Sequence, residues 1–255
     1  MLLAIDMGNT NIVIGCIDGD KICFVERIST STVKTELEYL VDFKTVMELH
    51  DVSAFDIDGA IISSVVPPLT LVIKYAIEKL IKITPLIVGP GLKSGINILM
   101  DNPSQLGSDL VVDSVAAMNE YGAPVTIIDM GTATTICVVD KNKNYIGGQI
   151  LPGVRVSLES LVNRTSQLPR ISLEAPKKII GKNTIDCMKS GIIMGQAACI
   201  DGMIERIWDE LGYQTTVVAT GGLAASIVPH CKTKIICDNE LILKGLNIIY
   251  HKNAV

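Results

Sequence analysis

Residues 2–25 read LLAIDMGNTNIVIGCIDGDKICFV, and residues 126–148 read TIIDMGTATTICVVDKNKNYIGG. Each stretch opens on an apolar run, reaches Asp-Met-Gly, and passes through small hydroxyl or amide residues. Each then returns to a second apolar run, a charged turn and a third strand-like run. Asp6 and Asp129 occupy the matching positions. Short apolar runs bounded by Gly, Asn and Asp predict strands over 2–6, 11–17 and 22–28, and again over 125–129, 134–140 and 144–150.

The elements downstream of each phrase repeat as well. Thr35 with Glu38 spells a capping box ahead of a helix over about 35–50, where Leu37, Leu40, Val41, Val46 and Met47 recur at helical spacing. GAIISSVVPP (59–68) reads as a buried strand closed by two prolines. A helix over about 69–81 and the strand PLIVG (85–89) complete the first half. In the second half, helical material includes a long stretch from about 184 to 211. The strands TTVVAT (215–220) and TKIIC (233–237) and a closing helix over 239–250 come next. Both halves therefore read β-β-β-α-β-α-β, which predicts two α/β domains, 1–118 and 119–255, related by pseudo-twofold symmetry. Each presents its Asp-bearing turn to a common cleft. Such turns suit a nucleotide triphosphate: glycine lets backbone amides approach phosphates, hydroxyls and amides donate hydrogen bonds, and a carboxylate holds a hydrated metal ion.

Composition narrows the field. The chain has 48% hydrophobic and 19% charged residues and a net charge of −5, with no basic stripe, which argues against a nucleic-acid partner. Mean hydropathy is +0.42, yet no apolar run approaches the roughly 18 residues of a membrane span. No signal-peptide pattern precedes Asp6, so the chain reads as soluble and cytoplasmic with no membrane partner. The seven cysteines lack CxxC spacing and are expected mostly as buried, reduced thiols. The three histidines lack metal-ligand spacing, and no GxSxG elbow is present. GPGLKSG (89–95) misses the third glycine of a dinucleotide fingerprint and is read as a loop. The stripe Ile192, Ile193, Ala197, Ile200, Met203 and Ile207, with Gly191, Gly195 and Gly202, predicts a packed helix face that also admits a second subunit.

The doubled order resembles the actin–hexokinase–chaperone superfamily, whose domains are actin-like (ribonuclease H-like). An ordered set of motifs is more specific: DMGNTN (6–11), SSVVPP (63–68), VGPGLKSGINI (88–98), DNPSQLGSD (101–109), DMGTATT (129–135), GGQILPG (147–153), LPR (168–170), GKNT (181–184) and ATGGLA (219–224). Across essentially the whole chain, this set resembles type III pantothenate kinase. The resemblance implies ATP-dependent phosphorylation of pantothenate, the first step of coenzyme A biosynthesis, by a homodimer. It implies an ATP site at Asp6, Met7, Gly8, Asn9, Thr10, Asn11, Ile12 and Val13, joined by Gly131 and Thr132 and, on the adenosine side, by Gly221 and Gly222. Asp6 would face Mg²⁺ through water, and Asp129 would hold a monovalent cation, K⁺ or NH₄⁺. Asp109 matches the catalytic base. Met100, Gly107, Ser108, Asp109, Leu110 and Thr184 map onto the pantothenate pocket, with Thr184 reaching from the partner subunit. Read without the family, Asp109 is an N-cap ahead of the helix LVVDSVAAM.

Three positions depart from the family's pattern. The usual spelling is G-A-D-R, where this chain has GSD followed by Leu110. Met100 stands in place of a tyrosine, and Asp113 in place of an asparagine. Leucine cannot supply arginine's planar charged fork, so an altered acceptor pocket is expected. Two further readings stay open beside the working kinase: a nucleotide-binding regulator that has lost catalysis, and a kinase for another small alcohol.

Overall fold

The computed structural model describes residues 1–254. They form two compact units. One comprises residues 1–96, 101–116 and 240–254, and the other residues 97–100 and 117–239.

The first unit is organised by β1 (Leu2–Met7), β2 (Asn11–Asp18) and β3 (Lys21–Ser29), an antiparallel meander. Helix α1 (Glu36–Leu49) follows, closed at its start by the expected Thr35–Glu38 capping box. Next come β4 (Gly59–Ser64), α2 (Pro67–Ile81) and β5 (Leu86–Ile87). Strands β4 and β5 run parallel to β1, giving the order β3-β2-β1-β4-β5. Alternation along β1 divides its side chains. Leu3, Ile5 and Met7 join the core that holds Tyr39, Phe43 and Ile73 of α1 and α2. Leu2 and Ala4 join Val112, Val115, Leu243 and Ile249 on the opposite face. By the same period of two, Asp6 belongs to that second face. Pro67 and Pro68 do not only close β4. They open α2, where a missing N–H costs nothing, so the helix starts two residues before the expected 69.

The second unit repeats the plan. It contains a short β6 (Asn97–Ile98), then β7 (Val125–Met130), β8 (Ala133–Val139) and β9 (Asn144–Pro152). Helix α3 (Ser108–Tyr121) lies between β6 and β7 in the chain. After α4 (Val154–Arg164), the expected 184–211 helix is divided into α5 (Thr184–Lys189), a wider π turn (Ser190–Met194) and α6 (Gly195–Leu211). Strand β10 (Thr216–Thr220), α7 (Ala224–Ile227) and β11 (Ile236–Cys237) complete a sheet of order β11-β10-β7-β8-β9-β6. Without β6 this is the first unit's order. The closing helix α8 (Leu241–Asn253) packs with the first unit, whereas the division at 118 assigned it to the second half.

One expectation needs correction. Cys16 and Cys137 are buried, but Cys23, Cys187 and Cys237 are exposed, since strand and helix edges turn alternate residues to solvent. The apolar stripe of the 184–211 segment is the packed helix face that its spacing predicts. Ile192, Ile193, Ala197, Ile200 and Ile207 are buried in their own unit's core with Ile128, Met130 and Val217, while Met203 packs against its margin. Gly191 and Gly195 face open space on the other side. Among the described residues, no helix is long and apolar enough to cross a membrane.

Candidate active site

In the first unit, β1 ends at Asp6-Met7 and turns through Gly8-Asn9-Thr10 into β2. The Gly8 amide donates to the Asn11 carbonyl at 3.0 Å. Thr30, just past β3, braces the turn from behind: its Oγ1 donates to the Gly8 carbonyl at 2.7 Å and its amide to the Thr10 carbonyl at 3.0 Å. Asn9, Thr10 and Asn11 are left exposed above a rigid base, while Ile12 is buried and Val13 half-buried. Asp6, half-buried, lies beside Val13 of β2 and Ser63 of β4 in the sheet.

Asp109 comes to the same face by another route. Helix α3 begins at Ser108, and the Gly107 carbonyl accepts the Val111 amide at 3.3 Å. Gly107 is therefore the cap and Asp109 sits inside the first turn, which corrects the N-cap reading. Its Oδ1 accepts the Leu110 amide at 2.8 Å. A Cβ on Gly107 would collide with this carboxylate, so glycine is what lets the side chain fold back over the helix start. Burial raises the Asp109 pKa, and the amides of Leu110 and of Asp109 itself oppose that rise. A half-desolvated carboxylate held by backbone amides can accept a proton from an alcohol.

The second unit repeats the Asp turn. Asp129 is half-buried at the end of β7, opposite the face that Ile128 and Met130 give to the core, and is paired in register with Thr135 and Thr220. The Gly131 amide donates to the Ala133 carbonyl at 3.0 Å, and Gly131 and Thr132 are exposed. Gly221 adopts φ +92°, and a Cβ there would lie 2.5 Å from Asp129 Oδ1. Its neighbour Gly222 is exposed, with open space where a Cβ would point.

The structure thus brings Asp6 and Asp109 onto one face of the first unit, and Asp129, Gly131, Thr132 and Gly221 to one end of the second. Met100 lies just past β6, half-buried, and Thr184 opens α5, exposed and capped by Asn183. Sequence reading missed the hydroxyls at the end of β4. Ser63 is fully buried beside Asp6, and Ser63 and Ser64 both engage Ser108. The available signal was a pair of serines ending an otherwise apolar strand.

A sequence model of the type III pantothenate kinase family matches residues 2–206. The type III pantothenate kinase of Halalkalibacterium halodurans is 43% identical over 254 residues, covering 100% of both chains. Among solved structures, a conserved Campylobacter jejuni protein assigned to the Baf family of transcriptional activators superposes with a TM-score of 0.60 at 20% identity, covering 98% of each chain. A Listeria monocytogenes protein assigned as an N-acetylmannosamine kinase superposes with a TM-score of 0.56 at 12% identity, covering 100% of this chain and 99% of its own. At these identities the two structures speak for the fold alone, the two-sheet α/β architecture of the actin-like and sugar-kinase folds. The match to a relative of the ordinary family name over its full length does not bear out an altered acceptor pocket.

Proposed function

This chain belongs to the type III pantothenate kinase family, and from that premise we propose that it phosphorylates pantothenate with ATP, opening coenzyme A biosynthesis. The observation that carries the reading is Asp109, a carboxylate half-withdrawn from water at the start of α3, on the same face as the Asp6 turn. In the reaction, the primary hydroxyl of pantothenate attacks the γ-phosphorus of ATP. A new O–P bond forms, the bond to the β-phosphate oxygen breaks, and ADP leaves. Asp109 accepts the hydroxyl proton late in the transfer, when the attacking oxygen has become acidic.

The residues present fit the groups the reaction requires. Asp6 is a hard oxygen donor beside the Gly8–Asn11 turn, suited to water-mediated Mg²⁺, which would neutralise phosphate charge when bound. The exposed turn residues from Asn9 to Asn11 would donate to phosphate oxygens, and Gly131 and Thr132 are likewise assigned to the nucleotide. Asp129, whose Oδ1 has room because position 221 is glycine, suits K⁺ or NH₄⁺. Gly221 and Gly222 are assigned to the adenosine side. Gly107, Leu110, Met100 and Thr184 are assigned to the pantothenate side. A cytoplasmic location and a homodimer belong to the same proposal. Exposed Ile179, Ile180 and Ile185, next to Thr184, support the dimer. Sedimentation velocity at micromolar concentration should give a dimer, and a monomer would remove Thr184 from the partner's site.

ADP release measured with and without pantothenate tests the activity directly. Turnover should require pantothenate. ATP binding without turnover would favour a nucleotide-binding regulator, and turnover on another alcohol would reassign the substrate. Asp6→Asn keeps the side chain's shape and removes its charge. It should weaken Mg²⁺-dependent ATP binding about tenfold, or about 1.4 kcal/mol, while the melting temperature stays near that of the parent. Equal Mg²⁺-ATP affinity in the variant would take the metal role away from Asp6.

A further inference from the structure

The start of α3 is fastened to the end of β4 by one hydroxyl. Ser108 Oγ lies 3.0 Å from the Ser64 carbonyl, 3.0 Å from the Ser64 amide nitrogen and 3.0 Å from Ser63 Oγ. A serine hydroxyl has one proton to give and two lone pairs to fill. The carbonyl takes the proton, so the Ser64 amide and the Ser63 hydroxyl must both donate to Ser108. All three capacities are used within the protein, and none is left for a ligand. Ser63, fully buried, sits beside Asp6 in the sheet, on the face that α3 covers. Ser64 Oγ serves a different helix: it pairs with Thr70 Oγ1 at 2.8 Å and accepts the Val66 amide at 3.2 Å, at the start of α2.

We infer that Ser63 and Ser108 are positioning residues for Asp109, and that Ser108 holds the helix start rather than contacting pantothenate through its hydroxyl. This rests on the assignment of Asp109 as the base. The reason is geometric. Asp109 follows Ser108 directly, and its carboxylate is oriented only by local backbone: the Leu110 amide and the room above Gly107. Those contacts fix the side chain relative to the helix. Val111 and Val112 pack the helix on the β1 face, and the Ser108 anchor adds a directional hydrogen-bonded tie of its first turn to the end of β4, beside Asp6. Alanine at this position would make none of the three bonds. Loosening the anchor lets water reach Asp109 and removes part of the burial that raises its pKa.

The test uses Ser108→Ala, Ser63→Ala, the double variant and Ser108→Thr in the full-length protein. Ser108→Ala should lower kcat about fivefold, leave KM for ATP within about twofold, and move the acid limb of kcat to lower pH. The threonine variant keeps a hydroxyl and should recover most of kcat. The double variant should be no worse than Ser108→Ala, because the two hydroxyls act as one unit. Amide exchange at Leu110 and Val111 reads the anchor without turnover. It should quicken in Ser108→Ala and stay slow in Ser108→Thr. Unchanged exchange and an unmoved acid limb in Ser108→Ala would overturn the inference, as would fully additive losses in the double variant. If the parent shows no pantothenate-dependent turnover, the assigned activity falls, and the exchange rates alone decide the anchor.

Discussion

Asp109→Asn should lose about 10²–10⁴-fold in kcat, the usual range for deleting a general base, while ATP binds within about twofold of the parent. Asparagine preserves the side chain's shape and can still accept the Leu110 amide through Oδ1. It has no basic site for the hydroxyl proton. The raised pKa of Asp109 adds two consequences. In the parent, the acid limb of kcat should lie above the ordinary aspartate value of about 3.9. Stability should move the other way. A carboxyl whose folded pKa exceeds its unfolded value binds more protons in the native state over that window. Native stability therefore falls as pH rises from the unfolded to the folded pKa. Above the window, the parent carries a partly desolvated charge that the asparagine variant lacks. The inactive variant should melt at the same temperature as the parent or higher at pH 7, and the gap should close near pH 3. An active Asp109→Asn enzyme would end the base assignment. A variant that melts clearly lower at pH 7 would show that the carboxylate is a structural support.

Gly221→Ala should abolish tight ATP binding, with a loss well beyond tenfold, where Gly222→Ala should cost little. The two glycines are adjacent in sequence and opposite in circumstance. Gly221 has φ +92°, a region that costs an L-residue about 1–2 kcal/mol. Its Cβ would also lie 2.5 Å from Asp129 Oδ1 and 2.7 Å from the Met130 backbone. The Met130 backbone cannot yield easily, because β7 is held in register with β10 through the Thr220–Asp129 pair. The turn after β10 must move off the end of β7, taking the proposed adenosine contact away and displacing the proposed cation ligand. Titration calorimetry with ATP, repeated at several K⁺ concentrations, should show weak binding and a blunted K⁺ response for Gly221→Ala. The Gly222 variant should follow the parent, since its Cβ points into open space. Indistinguishable behaviour of the two variants would detach this turn from the nucleotide.

Much of the molecule was legible locally. The repeated Asp-Met-Gly phrase, the three strands around each copy and the Thr35–Glu38 capping box are properties of neighbouring residues, and they stand where the sequence put them. Strand period also placed Asp6 and Asp129 at strand ends, because alternation is set by backbone geometry alone. The candidate residues came from motif resemblance, which names positions without orienting them. Tertiary structure decided what each exposed or apolar face meets. The stripe from Ile192 to Ile207 is consumed by its own sheet, since burying it there removes apolar surface without a second subunit. Helix α8 leaves the half that precedes it and covers the first sheet, where Leu243, Leu246 and Ile249 complete a core with Leu2 and Ala4. Ser108 appears in sequence as part of a substrate motif. Its hydroxyl belongs instead to Ser63 and Ser64, 45 and 44 residues earlier in the chain. A hydroxyl bonds to whatever the fold brings within about 3 Å, and no local pattern carries that information.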